Sequence, residues 1–428
     1  MFLPVALQKA KHPIKGLLRQ RDVFEKQVKP HLSEGKVAYV WVDALRFEMA
    51  RELSRLLADD FELELQPAIA TMPTITEIGM AALLPKAHES SRVVSVGNGK
   101  LGLEIGGQVI KDRKDRVAFL KEHAGVSVFD AKLDDLLPKP SKKVKDGIQN
   151  AQLILITSQE IDELGESDTK MARIQMDSVL NHLRRAVRIL NDHGIKTIVL
   201  VADHGYLFAD EIGEDMKIDA PGGSTADLHR RVWVGEGGTS GDAYMRAPLK
   251  AMGVESDFDL ATPWRFAIFK AAGGNLLYFH GGLSLQELIV PVVVMHSTKQ
   301  LSAPTSSVQW TLTPGTAKLT TRFISVQIAG IQSGASLFGF EPPKVRIELR
   351  ANKKSVSKPV SASYGFEDAT GEVKLKISET DSKRIETNTV TVMLSEEISN
   401  KPVGIYLVDA TTGAELAAPV TVDVAISM

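Results

Sequence analysis

The chain has 428 residues, 43% hydrophobic and 24% charged, a balance that suits a packed globular protein of two or three domains and excludes intrinsic disorder. A formal net charge of −2 argues against a surface that grips nucleic acid by bulk electrostatics, so a polyanion would have to be held locally, by metal or by a few arginines. With no cysteine, disulfides, thiolate metal ligands and cysteine nucleophiles are all ruled out, in keeping with a reducing cytosol.

The opening MFLPVALQKAKHPIKGLLRQ places apolar residues ahead of basic ones, the reverse of a secretory signal. No apolar run approaches the ~20 residues that span a bilayer. A soluble, cytoplasmic protein without a membrane partner is expected. Residues 1–35 read as a leading helix or linker. The stretch LLRQRDVFEKQVKPHL is too poor in apolar surface to form a domain, and one reading makes it the tail of something larger upstream.

From Lys36 to about His296, strand and helix alternate. VAYVWV is a strand by its β-branched and aromatic content, and it ends on Asp43. Asp43 either caps the following helix or presents its carboxylate at the sheet's C-terminal edge. Leu45, Met49, Leu53 and Leu56 then fall on one helical face. In ATMPTITEIGMAALLP a short helix over Ile78–Leu84 starts near Thr76, whose hydroxyl suits a nucleophile beside a phosphate or simply a cap. Thr71 and Thr74 are rivals.

Lys86 to about Asn150 breaks the rhythm with Gly-rich and Lys-rich pieces and reads as a cap or insertion. LILIT, from Leu153 to Thr157, is a buried strand leading into the acidic loop TSQEIDELGES. There Gly165 would turn the chain so that Asp162 and Glu166 face one side, as metal ligands or as a solvated acidic loop. A long helix follows, with Met171, Ile174, Val179, Leu183, Val187 and Leu190 on its apolar face and Gly194 as its cap. TIVLVA is the next strand, and it ends in Asp203-His204-Gly205, an adjacent pair that can face one ion from a loop. Last, His280 follows LLYF and precedes two glycines. It is either a ligand or a hydrogen-bonded buried histidine. The near-continuous apolar strands argue an α/β fold with a mostly parallel sheet between helices.

After Lys299 the pattern changes to short alternating runs: Val308–Leu312, Arg322–Ile328, Val345–Arg350, Val373–Ile377, Val390–Leu394, Gly404–Val408 and Thr421–Ile426. Seven short strands separated by turn residues predict a C-terminal antiparallel β-sandwich over residues 300–428, without a catalytic cluster.

The ordered set VWVDALRFEMARELSRLL, PTITEIGMAALLP, IDELGE, VADHGYLF and HGGLSLQELIVPVV resembles the PglZ domain of the BREX and Pgl phage-defence systems, in the alkaline phosphatase superfamily. The likeness covers about Lys36 to His296, within an expected domain over residues 36–299 that has 86–150 as a cap or insertion. It implies an alkaline-phosphatase-like fold and two divalent metal ions, zinc or manganese, with magnesium also compatible. One ion would be held by Asp43, Thr76, Asp203 and His204, and the other by Asp162, Glu166 and His280. Glu166 stands where the superfamily usually has histidine, which favours harder ions or weakens the second site. PTIT is similar to the Pro-Thr-x-Thr of the nucleotide pyrophosphatase branch, which makes Thr76 the implied nucleophile ahead of Thr74. Arg46 would contact a phosphate oxygen or pair with Glu48 or Glu52.

The implied activity is that of a phosphodiesterase or nuclease acting on a nucleotide or nucleic-acid phosphodiester. The implied partners are other BREX or Pgl proteins, including a DNA methyltransferase. Two alternatives are a catalytically weak scaffold bridging those components and a phosphomonoesterase or phosphomutase.

Overall fold

Seven strands build the sheet that carries the candidate site. In chain order they are β1 (Leu18–Arg19), β2 (Val37–Val42), β3 (Phe61–Ile69), β4 (Val128–Lys132), β5 (Leu153–Ser158), β6 (Thr197–Ala202) and β7 (Ile289–Ser297). Their spatial order is β1-β3-β7-β6-β2-β5-β4. This computed structural model describes residues 16–167, 169–271, 277–298, 308–332, 342–351, 354–395, 402–410 and 413–426. Residues 1–15 of the expected leader and the expected boundary at residues 299–300 lie outside the described residues.

The central strands β2, β5 and β6 are buried along nearly their whole length, as strands covered on both faces must be. They pair in parallel, with β2 between β5 and β6. Only β7 runs the other way, antiparallel to both β6 and β3. Its ladder to β6 begins at Val292, one residue after Pro291, whose nitrogen has no hydrogen to donate.

After the leader's helical turns, Gln20–Asp22, Phe24–Val28 and Lys29–Leu32, the helices are α1 (Phe47–Leu57), α2 (Thr76–Ala82), α3 (Arg113–His123), α4 (Lys142–Asn150), α5 (Glu160–Ser167), α6 (Thr169–Asp192) and the single turn α7 (Leu285–Leu288). Helix α1 buries Ala50, Leu53 and Leu57, so Leu53 is on the expected face, while Met49 and Leu56 are only partly buried. On α6 the expected residues Val179, Leu183, Val187 and Leu190 are buried; the side chains of Met171 and Ile174 lie outside the described residues. Gly194 ends α6 in the left-handed conformation (φ 87°), as a C-terminal glycine does. Among the described residues, no helix is long and apolar enough to cross a membrane.

Three expectations need correction. The segment read as an acidic loop is helix α5: Ile161 and Gly165 are buried one turn apart, and Asp162 and Glu166 share a face because they are four residues apart. Gly165 serves packing rather than turning, since a Cβ there would stand 2.4 Å from the Tyr278 ring. The segment 86–150 is not wholly a cap. Residues 91–110 form a three-stranded antiparallel sheet, but β4 joins the main sheet as its parallel edge beside β5. The leader, expected as a helix or linker, does turn helically between Gln20 and Leu32, but it also supplies β1, which pairs in parallel with β3 at the opposite edge.

The chain divides into two compact units: Met1–Leu136 with Pro140–Lys299, and Leu137–Lys139 with Gln300–Met428. In the second unit, Val308–Pro314, Phe323–Gln332, Arg384–Leu394 and Ser357–Ala362 form one antiparallel sheet in that order. Another sheet runs through Val420–Val424, Val403–Asp409, Lys344–Ala351 and Glu372–Lys374. Both contribute to one buried cluster that includes Val326, Val392, Ile347 and Leu407. Ser357–Ala362 carries no clear alternation; its Pro359 is tolerated because the strand lies at a sheet edge.

Candidate metal centre

The sheet order makes the strands that end near Asp203, Asp43 and Asp162 three consecutive neighbours, β6, β2 and β5. Their C-terminal ends lie side by side, the edge at which open α/β sheets hold ligands. Asp43 leaves β2 with its N–H bonded to the Ser158 carbonyl at the end of β5 (2.9 Å), and Ala44 then turns in the left-handed region (φ 59°). Asp43 does not cap α1, whose N-cap is Arg46. Its carboxylate is buried instead, and Oδ1 has no hydrogen-bond partner.

Asp203 Oδ1 accepts from the N–H groups of Ala44 (3.0 Å) and His204 (2.9 Å), which leaves Oδ2 buried without a partner. His204 Nδ1 faces the Gly205 carbonyl at 3.2 Å and must donate to it, so the neutral ring keeps its lone pair on Nε2. That nitrogen is 3.4 Å from Asp203 Oδ2, 3.7 Å from Asp43 Oδ1 and 3.2 Å from Thr76 Oγ1. Burial raises the Asp43 carboxyl well above its usual range, and the negative charges of Asp203 and Asp162 raise it further. Two buried carboxylates with orphaned oxygens beside an imidazole lone pair are a donor set whose chemistry fits a divalent cation.

The three threonines are told apart by their partners. Thr74 is fully buried and its hydroxyl donates to the Gly282 carbonyl (2.9 Å). Thr71 gives its backbone N–H to Gln20 Oε1 (2.9 Å). Thr76, the first residue of α2, is left facing His204. Helix α2 comes this close because residue 79 is glycine: a Cβ there would meet the Asp203 carbonyl oxygen at 2.5 Å and its Cβ at 2.8 Å.

The second group forms where α5 meets the segment after Tyr278–Phe279, a short strand pairing antiparallel with Leu207–Phe208. Asp162, Glu166 and His280 offer ligand atoms that all lie within 4.8 Å of one another, as do Asp43, Asp203 and His204. Tyr278 Oη donates to Asp162 Oδ1 (2.8 Å). His280 Nδ1 faces the Thr74 carbonyl (3.4 Å), again freeing Nε2 in the neutral ring. Its ring stacks on His204 with centroids 4.3 Å apart and planes 2° from parallel, linking the two groups. Burial, with His204 close by, pushes His280 down to about 4, while burial and then the charge of Asp162 raise Glu166.

Arg46 is turned elsewhere. Its guanidinium pairs with Glu48 and lies over the Tyr206 ring, 5.2 Å from the centroid.

Several residues that hold the site carried no clear sequence signal. Gln20, from the leader, donates to the carbonyls of Ala202 (2.9 Å) and Asp203 (2.6 Å) while accepting from Thr71, tying the strand end to the threonine segment. Glu287 accepts from Gly282 N–H (2.9 Å), Ser284 N–H (3.2 Å) and the buried Arg231 guanidinium (3.3 Å to each oxygen). Its own carbonyl accepts from Gly205 N–H (3.0 Å), so one residue fastens both histidine loops. Arg116, on α3, is 8% exposed; burial lowers its pKa, while the charges of Asp203 and Asp43 act most strongly against that shift.

A family described as the BREX system PglZ alkaline phosphatase-like domain matches residues 23–295. The chain is 28% identical over 312 residues to the alkaline phosphatase-like protein BrxZ of Escherichia coli O9:H4 (strain HS), covering 68% of this chain and 34% of that protein. It is 25% identical over 320 residues to the alkaline phosphatase-like protein PglZ of Bacillus cereus (strain H3081.97), covering 72% and 36%. The chain thus spans about a third of the length of these curated relatives. Among solved structures, inactive murine ectonucleotide pyrophosphatase/phosphodiesterase 5 in complex with AMP aligns with a TM-score of 0.41 at 12% identity, covering 61% of this chain and 88% of that one. The family match runs from the leader's helical turns through β7, and this chain belongs to the PglZ family of alkaline phosphatase-like domains from BREX systems.

Proposed function

We propose that the chain is a metal-dependent phosphoric-ester hydrolase acting on phosphodiesters of nucleotides or nucleic acid, with Thr76 as its nucleophile. One observation carries the reading: the Thr76 hydroxyl faces His204 Nε2 at 3.2 Å, beside the orphaned Asp43 and Asp203 oxygens. Asp43, Asp203, His204 and Thr76 would hold one divalent cation, and Asp162, Glu166 and His280 another. This oxygen-rich second set suits manganese or magnesium at least as well as zinc. Once bound, such cations lower the pKa of a coordinated hydroxyl and neutralise charge developing on phosphorus.

The chain's own residues supply position. Gly79 and Gln20 set the distance between Thr76 and the end of β6, and Glu287 holds the two histidine loops against each other. Thr76 Oγ gives up its proton and forms a bond to phosphorus as the bond to the leaving oxygen breaks, and that oxygen takes up a proton and departs as an alcohol. Water then cleaves the Thr76 phosphoryl ester, and the hydroxyl regains a proton.

Hydrolysis of bis-p-nitrophenyl phosphate with Mn²⁺ or Zn²⁺ tests the reading. Turnover is expected in the wild type and lost in Thr76→Ala and Asp203→Ala; the matching monoester decides between diesterase and monoesterase. Glu166 favours a second reading, a catalytically weak scaffold that bridges BREX components such as a DNA methyltransferase. The two-sheet C-terminal unit, read as a β-sandwich, would serve as its interaction module in the cytoplasm. Wild-type protein that is silent with every divalent ion yet retains its partners selects the scaffold.

A further inference from the structure

The two groups of ligands are unequal. Thr76 Oγ1 stands beside the first as a fourth donor, whereas among the described residues the second joins Asp162, Glu166 and His280 alone within the 4.8 Å spacing. A histidine that belongs to neither group lies next to the second.

His229 occupies the turn between the antiparallel strands Ser224–Leu228 and Trp233–Glu236, and its N–H bonds to the Val232 carbonyl (2.8 Å). Its Nε2 is 3.1 Å from Oδ2 of the buried Asp227. The next three residues press this turn onto the His280 segment. The Arg230 guanidinium lies over the Phe279 ring (5.5 Å), Arg231 pairs with Glu287, and a Cβ on Gly281 would meet Val232 Cγ1 at 2.8 Å. Held this way, the His229 ring centre is 6.3 Å from that of His280, at a 42° tilt.

Two imidazoles bound to one cation through nitrogens at ~2.1 Å have ring centres roughly 5–6.5 Å apart, depending on the angle at the ion. An imidazole whose outer N–H is held by a carboxylate, with the other nitrogen turned inward, is the usual arrangement of a metal-binding histidine. We propose that His229, oriented by Asp227, is a further ligand of the second cation through Nδ1, supplying the nitrogen that Glu166 does not. This assignment rests on the two-cation reading above and adds one residue to it.

Calorimetric Mn²⁺ titration of the whole chain tests it, paired with the visible absorption band of the Co²⁺ form. Wild type is expected to take up two ions. His229→Ala should keep the first and bind the second at least tenfold more weakly, with the Co²⁺ band moved to lower energy by the loss of a nitrogen donor. Asp227→Asn should weaken the second ion by a smaller factor, and this milder variant leaves the turn's packing in place if His229→Ala does not fold. Two ions bound with wild-type affinity in both variants, and an unchanged Co²⁺ band, overturn the His229 assignment alone. A wild type that takes up one ion or none overturns the two-cation reading and His229 ligation together.

Discussion

Gly79→Ala sets local propensity against site geometry. Alanine is the better helix former by about 1 kcal/mol, so α2 considered alone would be strengthened. The structure argues the reverse. The new Cβ would stand 2.5 Å from the Asp203 carbonyl oxygen, against the 3.4 Å at which ordinary contact begins, so α2 and the end of β6 must separate by about 0.9 Å. Neither side yields easily, because one is backbone and the other is held by Gln20. Overpacking of this kind costs about 1–3 kcal/mol. The same displacement moves Thr76 away from His204, and a shift of about 1 Å in a reacting group can lower turnover by about 10²-fold. Thermal unfolding of the metal-free chain, Mn²⁺ titration and diester hydrolysis measure the three effects. A Gly79→Ala protein with wild-type or higher melting temperature and unaltered turnover would refute the claim that α2 is seated by this contact.

Other perturbations probe the supports. Glu287→Gln leaves the buried Arg231 without its carboxylate and should cost about 3–5 kcal/mol in urea unfolding, with weaker metal uptake at His280. Gln20→Ala removes two donated bonds and one accepted bond at buried groups; about 1–3 kcal/mol is expected, with a loss of affinity for the first ion measured by calorimetry. Metal uptake should also depend on pH. Asp43 binds its proton more tightly in the folded chain than in the unfolded one, so without a cation its contribution is present at low pH and fades as pH rises through its folded pKa. A divalent ion replaces that proton, so the gain in melting temperature on adding Mn²⁺ should be larger at pH 8 than at pH 5. His280 acts in the opposite sense. Held neutral down to about 4, it weakens the metal-free fold as pH falls from 6.5 toward 4, and His280→Gln should remove that part of the acid-side loss.

The apolar strands were readable because a parallel strand covered on both faces needs an unbroken apolar run, and VAYVWV, LILIT and TIVLVA each have one. The end of such a run marks the sheet edge, so the amino-acid sequence alone places Asp43 and the Asp203-His204 pair there. The second group was found for a partly wrong reason. Asp162 and Glu166 face one way because α5 is helical, whereas Gly165, read as a turn, is the residue on which Tyr278 packs. Spacing of four survives either reading, and so Asp162 and Glu166 lie together although the element is a helix and not a loop.

What stayed hidden shares a physical character: it depends on contacts between segments far apart in sequence, made by residues whose local pattern has another sufficient explanation. Gln20 is one polar residue in a polar leader, yet it reaches Asp203, 183 residues away. Glu287 has the look of a capping-box glutamate behind Ser284, and it is one, but its other bonds go to Arg231 and Gly282. Asp227 and His229 sit in a hairpin with no metal-ligand spacing relative to Asp162 or Glu166, because the connection between them is made by Arg230, Arg231 and Val232 pressing on residues 279–287. Periodicity reports which face of an element is buried, and strand ends report where an edge lies. Neither reports which inserted segment folds back over that edge. The carboxylates at the edge were therefore legible, and the residues that close over them were not.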